Sequence, residues 1–322
     1  MEFQQRARVS FASQERYRIL IDSAEFDAVP AGALRWDGTL PAVGDWVDVR
    51  MAGGELGVIE NVIPRTTVIS RRQAGRSHDE QILAANVDLI VVVMALDRDF
   101  NLRRLERYLV LAAESGAATL IALNKAELCD DPVTRLAEIE AVAPGTPYVT
   151  LSAIESVAAL LPYIGGGTVV LLGSSGVGKS TIVNALLGDG RQATREVREH
   201  DSRGKHTTTH RMLLPLPGGG ALIDTPGLRE LSLWASQPAL DEAFSDIAEL
   251  AANCRFRDCS HTDEPGCAVA GVVDPKRWAS YLKLQGEIRH HVRMTDRYAA
   301  LAEKKRWKVI HKAMRHHPKY QR

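Results

Sequence analysis

Long hydrophobic runs are missing from this chain. No apolar stretch approaches the ~20 residues needed to cross a bilayer. The longest, Leu89 to Leu96, has the length of a buried strand, so no membrane partner is expected. The N-terminus, Met-Glu-Phe-Gln-Gln-Arg, lacks the apolar core of a secretory signal, which points to a cytoplasmic protein. Cysteine is scarce: there are four, and a cytosolic setting disfavours pairing them as disulfides. Net charge is also absent, with 40 Lys and Arg against 40 Asp and Glu. The balance is not uniform, however. Residues 276–322 carry 14 basic against 3 acidic residues, and the remainder 26 against 37. That asymmetry predicts a basic tail with a polyanionic partner. What remains is a soluble globular composition, 45% hydrophobic and 25% charged over 322 residues, enough for about two or three domains.

The most informative stretch present is Gly173-Ser174-Ser175-Gly176-Val177-Gly178-Lys179-Ser180-Thr181. It follows the apolar run Thr168 to Leu172 and precedes a helical pattern over Thr181 to Leu187. Strand, glycine loop and helix in that order form a phosphate-binding P-loop. The glycines let several backbone N–H groups converge on one anion, and the helix N-terminus adds partial positive charge. Lys179 is expected on the β- and γ-phosphates and Ser180 on Mg²⁺.

Residues 1–72 read as β structure. Strands are expected at Arg16–Asp22, Trp46–Arg50 and Gly57–Ile63, separated by turn signals such as Asp37-Gly38 and Gly53-Gly54. Short strands at close spacing suggest a small barrel, OB-type being one option, although pattern alone does not separate barrel from sandwich. A polar stretch, residues 73–82, reads as a linker. From 83 to 236, buried-strand runs at Val87–Leu96, Ala118–Leu123 and Tyr148–Leu151 alternate with helices at Leu102–Ser115 and Pro132–Val142. Such βα alternation predicts a parallel sheet covered on both faces, with ligands at the carboxyl ends of its strands.

The remaining nucleotide motifs fall at strand ends. Asn124-Lys125-Ala126-Glu127 offers a carboxylate, Glu127, that can accept both guanine ring N1–H and exocyclic amine; adenine has no such donor pair. Asn124 is expected at the other base edge and the Lys125 stem along the ring. Glu127 stands where GTPases usually have Asp. Ser152-Ala153 could bring a backbone N–H to the base carbonyl oxygen. Gly204 to His210 reads as a mobile loop that orders around the γ-phosphate through a Thr on Mg²⁺. Thr207, Thr208 or Thr209 could serve, with Thr209 favoured. Asp224-Thr-Pro-Gly227 follows another strand. There Asp224 would hold Mg²⁺ through water and the Gly227 N–H would meet the γ-phosphate. The next residue is Leu228, which cannot orient water by hydrogen bonding, so His206 is the candidate for that task. No second catalytic constellation supports a metabolic ATP-dependent enzyme.

Cys254-x4-Cys259-x-His261-x5-Cys267 gathers three thiols and an imidazole within 14 residues. That donor set suits one structural Zn²⁺, with no open position for catalysis. Cys129 is left as an inert thiol. Pro275 to Met314 reads as helix, with Trp278, Tyr281, Tyr298 and Trp307 among basic residues. The mixture suits RNA phosphates and unstacked bases, or packing of the helices on the metal module.

Asn124-Lys125 and Ser152-Ala153 precede the P-loop, the reverse of the usual GTPase order, so the domain is circularly permuted. A parallel sheet brings strand ends together whatever the chain order. The strand ending at Asp224 leads directly into residues 237–322, so Asp224 to Leu228 is expected to move that C-terminal domain with nucleotide state. Permutation, a barrel in front and the Cys/His spacing behind resemble the ribosome small-subunit-dependent GTPase A family (RsgA, also called YjeQ). The resemblance rests on Gly173–Thr181, Lys205–Thr209, Asp224–Leu228 and the Cys/His set, with Glu127 departing. It implies an OB-fold, a permuted GTPase domain and a helical zinc-binding domain. It also implies late maturation of the small ribosomal subunit, contact with its rRNA, and subunit-stimulated conversion of GTP to GDP with His206 in place of the usual glutamine. A monomer is expected. The alternative reading is an RNA-binding module that keeps GTP as a structural ligand.

Overall fold

The structure, a computed structural model, describes residues 4–13, 16–36, 38–52, 55–72, 80–188, 211–224, 235–262, 264–290 and 292–293, with 72 and 80 in backbone only. The N-terminal segment forms three strands, β1 (Gln4–Ala12), β2 (Tyr17–Ile21) and β3 (Ala24–Pro30). A short helix α1 (Gly32–Trp36) leads to β4 (Trp46–Ala52) and β5 (Leu56–Val62). Pairing runs β1-β2-β3-β5-β4 and closes through β4 on β1. This is an OB-like barrel around Ala7, Val9, Tyr17, Ile19, Val47, Val49 and Ile59. Closure leaves no free sheet edge to mispair. Sequence pattern anticipates β2, β4 and β5 but not β1 or β3. In β3, Ala28 and Pro30 are the residues that reach full burial, too weak an alternation to register.

Next comes a hairpin, β6 (Val68–Arg72) and β7 (Glu80–Ala85), paired antiparallel from Val68↔Ala85 to Arg72↔Glu80. Residues 80–82, read from sequence as the end of a linker, are thus the first half of a strand. Their partners in β6 satisfy the backbone groups that a free linker would leave to water.

The α/β region follows as β8 (Leu89–Ala95), α2 (Leu102–Ser115), β9 (Ala118–Asn124), α3 (Pro132–Val142), β10 (Tyr148–Thr150), α4 (Leu161–Ile164), β11 (Thr168–Leu172), α5 (Lys179–Leu187), β12 (Arg211–Pro215) and β13 (Ala221–Asp224). The spatial order is β10-β9-β8-β11-β13-β12, parallel throughout except for β12. Strands β8 and β11 are buried at every residue, as unbroken apolar runs require in a sheet covered on both faces. Helices α2 and α3 span the ranges their periodicity predicts. Asn101 caps α2 by accepting from Arg104 N, and Gly116 ends it at φ +76°. Asp131 caps α3 ahead of Pro132.

Barrel and parallel sheet are not separate bodies. The end of β1 pairs antiparallel with β12 at Phe11↔Met212 and Ala12↔Arg211, while Gln4 to Arg8 of the same strand pair with β4. Arg8 reinforces the joint. Its guanidinium donates to Asn86 O at 2.9 Å and Thr168 Oγ1 at 2.8 Å, and stacks 4.8 Å from the Trp46 ring centroid. Burial pushes the Arg8 pKa down, against Asp88 and Asp45, which pull it up. Beyond β13, α6 (Gln237–Ala243), α7 (Ser245–Ala252) and α8 (275–290) pack against α2, and the Cys/His residues lie in the irregular segment between α7 and α8.

Candidate nucleotide-binding site

Strand register brings the sequence motifs to one edge. Leu172 pairs with Val92, Asn124 with Ala95, and Val170 with Ile223. The loop after β11, the end of β9 and Asp224 therefore emerge side by side. The loop itself is tight for steric reasons. Gly178 caps α5 with φ +98°, and a Cβ there would collide with Asn124 Nδ2. A Cβ on Gly173 would run into Val93 O. Glycine is needed at both positions because the backbone passes too close to its neighbours for any side chain. Helix α5 begins at Lys179, two residues earlier than its periodicity suggests, so its N-terminus opens directly onto the loop. Ser175, Gly176, Ser180 and Thr181 are exposed around the hollow, and Val177 is buried beneath it. The Lys179 ammonium donates to Gly173 O at 2.6 Å and Ser174 O at 2.5 Å, the two carbonyls with which an incoming phosphate competes.

Asn124 is 2% exposed and ties the site together. Its Nδ2 donates to Val177 O at 2.8 Å, and its Oδ1 accepts from Ala153 N at 2.9 Å. One amide N–H remains for a base edge. The Ala153 N–H, expected at the base carbonyl oxygen, is thus spent on Asn124, because a buried amide oxygen needs a donor. Ser152 is buried, and its hydroxyl has no hydrogen-bond partner among the described residues. Lys125 adopts φ +62° and donates to Asp97 Oδ2 at 2.7 Å, which holds its side chain against the loop after β8. Glu127 lies in the 3-10 turn Ala126–Leu128 and is exposed. His206, Thr207, Thr208, Thr209, Gly227 and Leu228 lie outside the described residues.

Three site residues escape the sequence motifs. Asp99 Oδ2 accepts from Arg104 Nη1 at 2.6 Å and from Ser174 Oγ at 2.9 Å, and Arg104 Nη1 also donates to Ser174 Oγ at 2.7 Å. Asp97 clasps Lys125, as above. The Lys125 hydrogen bond holds the Asp97 carboxyl below its usual range, and the Arg104 hydrogen bond does the same for Asp99. Their one sequence signal is position: Asp97-Arg98-Asp99 follows the carboxyl end of a parallel strand, where ligand-facing groups collect.

In the Cys/His cluster, the four ligand atoms of Cys254, Cys259, His261 and Cys267 lie within 4.8 Å of one another. A tetrahedral ion with Zn–S bonds of about 2.3 Å spaces thiolates by about 3.8 Å, so the group can hold a metal ion. Ala268 N donates to Cys254 Sγ at 3.3 Å and Ala270 N to Cys267 Sγ at 3.2 Å. The Ala270 N–H, aided by His261, brings the Cys267 thiol down to about 6, whereas burial pushes Cys259 up to about 11. Trp278 meets the His261 ring edge-on at 5.6 Å and stacks on Tyr281 at 5.4 Å. These two aromatics therefore pack the module internally and are not held out for a ligand. Tyr298 and Trp307 lie outside the described residues.

The profile of the RsgA GTPase family matches residues 62–234. The chain is 47% identical over 96% of its length to the small ribosomal subunit biogenesis GTPase RsgA of Opitutus terrae, covering 90% of that protein. The chain belongs to the RsgA GTPase family. Solved structures agree with this assignment. The crystal structure of YjeQ from Thermotoga maritima superposes with a TM-score of 0.67 at 25% identity, over 89% of this chain and 99% of that one. YloQ, described as a circularly permuted GTPase, gives 0.67 at 27% identity, over 89% and 96%. Membership makes this chain a GTP-hydrolysing enzyme with a circularly permuted domain behind an OB-like barrel. No helix among the described residues is long and apolar enough to cross a membrane.

Proposed function

We propose that this GTPase acts in the cytoplasm on the small ribosomal subunit, using GTP hydrolysis to time a late step of that particle's maturation and its own release. The observation that carries the reading is the Asn124 tie between Val177 and Ala153. It makes the phosphate loop and the base-side loop one site, although they are supplied by separate strands. The name borne by the Opitutus terrae relative supports the partner. In this reading Gly173 to Thr181 wraps the phosphates and Lys179 exchanges its two loop carbonyls for phosphate oxygens. Glu127 accepts the guanine N1–H and amine, with Lys125 against the ring. Ser180, Thr209 and Asp224 would hold Mg²⁺, which when bound neutralises charge between the β- and γ-phosphates. His206 orients the attacking water and the Gly227 N–H meets the γ-phosphate. Cys254, Cys259, His261 and Cys267 hold one structural Zn²⁺, a closed donor set with no position left for substrate.

Residues 1–72, 83–236 and 237–322 would form the barrel, GTPase and zinc-binding domains of a monomer. The basic segment 276–322 faces rRNA phosphates, with Tyr298 and Trp307 available for unstacked bases. The test is GTP turnover with and without purified small subunits, with ATP as control. We expect stimulation of at least about tenfold, confined to GTP, which corresponds to about 1.4 kcal/mol of barrier. Turnover unchanged by the subunit would remove this partner and leave the GTPase fold standing.

A further inference from the structure

Helix α2 touches both the nucleotide loop and the Cys/His module, and it does so with charged groups. At its first turn Arg104 holds Ser174, the second residue of the phosphate loop, in a three-way network with Asp99. Ser174 also supplies one of the two carbonyls that hold Lys179. Moving Arg104 therefore moves an acceptor of the phosphate-binding lysine.

The same helix carries the module. Glu106, fully buried, accepts from Arg277 of α8 at 3.0 Å, and Arg277 makes a fork onto Asp246 of α7 at 2.7 and 2.5 Å. Arg107 forms a second fork, onto Glu287 of α8, at 3.1 and 2.6 Å. One helical turn of α2 therefore supports both docking contacts of α8. At the far end Glu114 accepts from both Ser236 N and Ser236 Oγ, at 2.7 and 2.6 Å, and so seats the start of α6. A helix is stiff over the roughly 15 Å from Arg104 to Glu114. A shift at the module end is therefore delivered to Ser174 as rigid displacement and is not absorbed on the way.

We propose that Arg104 and Asp99 position the phosphate loop through Ser174, and that α2 thereby ties guanine-nucleotide affinity to the docking of the Cys/His module. Arg104 is a positioning residue: it acts through Ser174, which belongs to the loop read as nucleotide-binding. The inference rests on reading Gly173–Thr181 as the nucleotide loop. It supplies a path through α2 that does not run through residues 225–234. Coupling between two sites is reciprocal, so a nucleotide that orders Ser174 also favours the docked module.

A double-mutant cycle on the full chain tests this. The affinity for a fluorescent GDP analogue is measured for wild type, Arg104→Ala, Arg107→Ala and the double variant, with thermal unfolding to confirm that each folds. Arg107 stands away from the nucleotide loop, and its ion pair is about one-third exposed, so its loss leaves the fold intact. We expect Arg104→Ala to weaken GDP and GTP alike by about tenfold, within the usual range of intersite coupling, and Arg107→Ala by about threefold, just below that range. We expect Arg107→Ala to add nothing once Arg104 is gone. Arg104→Lys, which restores one charged donor, should recover most of the affinity and also serves if Arg104→Ala does not fold. If Arg104→Ala binds like wild type, or the Arg107 effect is the same with and without Arg104, the proposal is wrong. If wild type itself does not bind GDP, the nucleotide reading falls as well.

Discussion

A single side chain, Asn124, decides whether two loops act as one site. Removing it by Asn124→Ala leaves Val177 O and Ala153 N, both on buried residues, without partners. Each unsatisfied buried group costs about 1–3 kcal/mol. We expect a loss of about 2–4 kcal/mol in denaturant unfolding, with GDP affinity falling by more than tenfold as the loops separate. Unfolding and affinity close to wild type would show that the amide is dispensable. The sequence announces Asn124 through its tetrapeptide but not its wiring, since its partners lie 53 and 29 positions away. The Arg104–Ser174 contact spans 70 positions and leaves no local pattern at all. Motif reading finds residues whose spacing is set by the ligand. It passes over those whose spacing is set by the fold.

At the scale of elements, legibility follows burial and capping. Strands β8 and β11 are apolar without a break, and α2 and α3 carry Asn101, Gly116, Asp131 and Pro132 at their ends. Strand β1 defeats the same reading because it begins with three exposed residues and buries its apolar side chains only from Ala7 onward. The segment holding Cys254 to Cys267 has little regular structure of its own. Glu264 orders part of it by accepting from Ser260 N and Thr262 N at 2.9 and 3.0 Å, and a metal held by the three sulfurs and His261 would order the rest. Arg277 and Glu287 hold α8 to α2 independently of the sulfurs. A strong chelator should therefore abolish amide-exchange protection at 254–270 while leaving β8, β9 and β11 protected. Unchanged protection in the loop would mean that no bound metal organises it.

For the whole molecule, the governing fact is that β1 belongs to two sheets. Neither the barrel nor the parallel sheet can be opened along this seam without exposing strand edges and breaking the Arg8 contacts to Asn86 and Thr168. Heating or denaturant should therefore unfold both together. Amide exchange in β2 and β4 of the barrel should report the same midpoint as exchange in β8 and β11. Two midpoints several degrees apart would separate the bodies. A chain beginning at residue 63 would leave β12 as an open edge and should aggregate.

The same seam sets a timetable for the newborn chain. Strand β1 meets its last neighbour only when Arg211 and Met212 have been made. The barrel can close early, since its partners all lie before residue 63. Strands β8, β9 and β10 can also assemble before the phosphate loop exists. Strand β11 then joins the flank of β8, and β13 and β12 complete the sheet against a barrel already waiting. Permutation thus places the Asn124 loop ahead of the Gly173–Thr181 loop in time as well as in sequence. The pocket becomes whole only at the end of synthesis of the central domain.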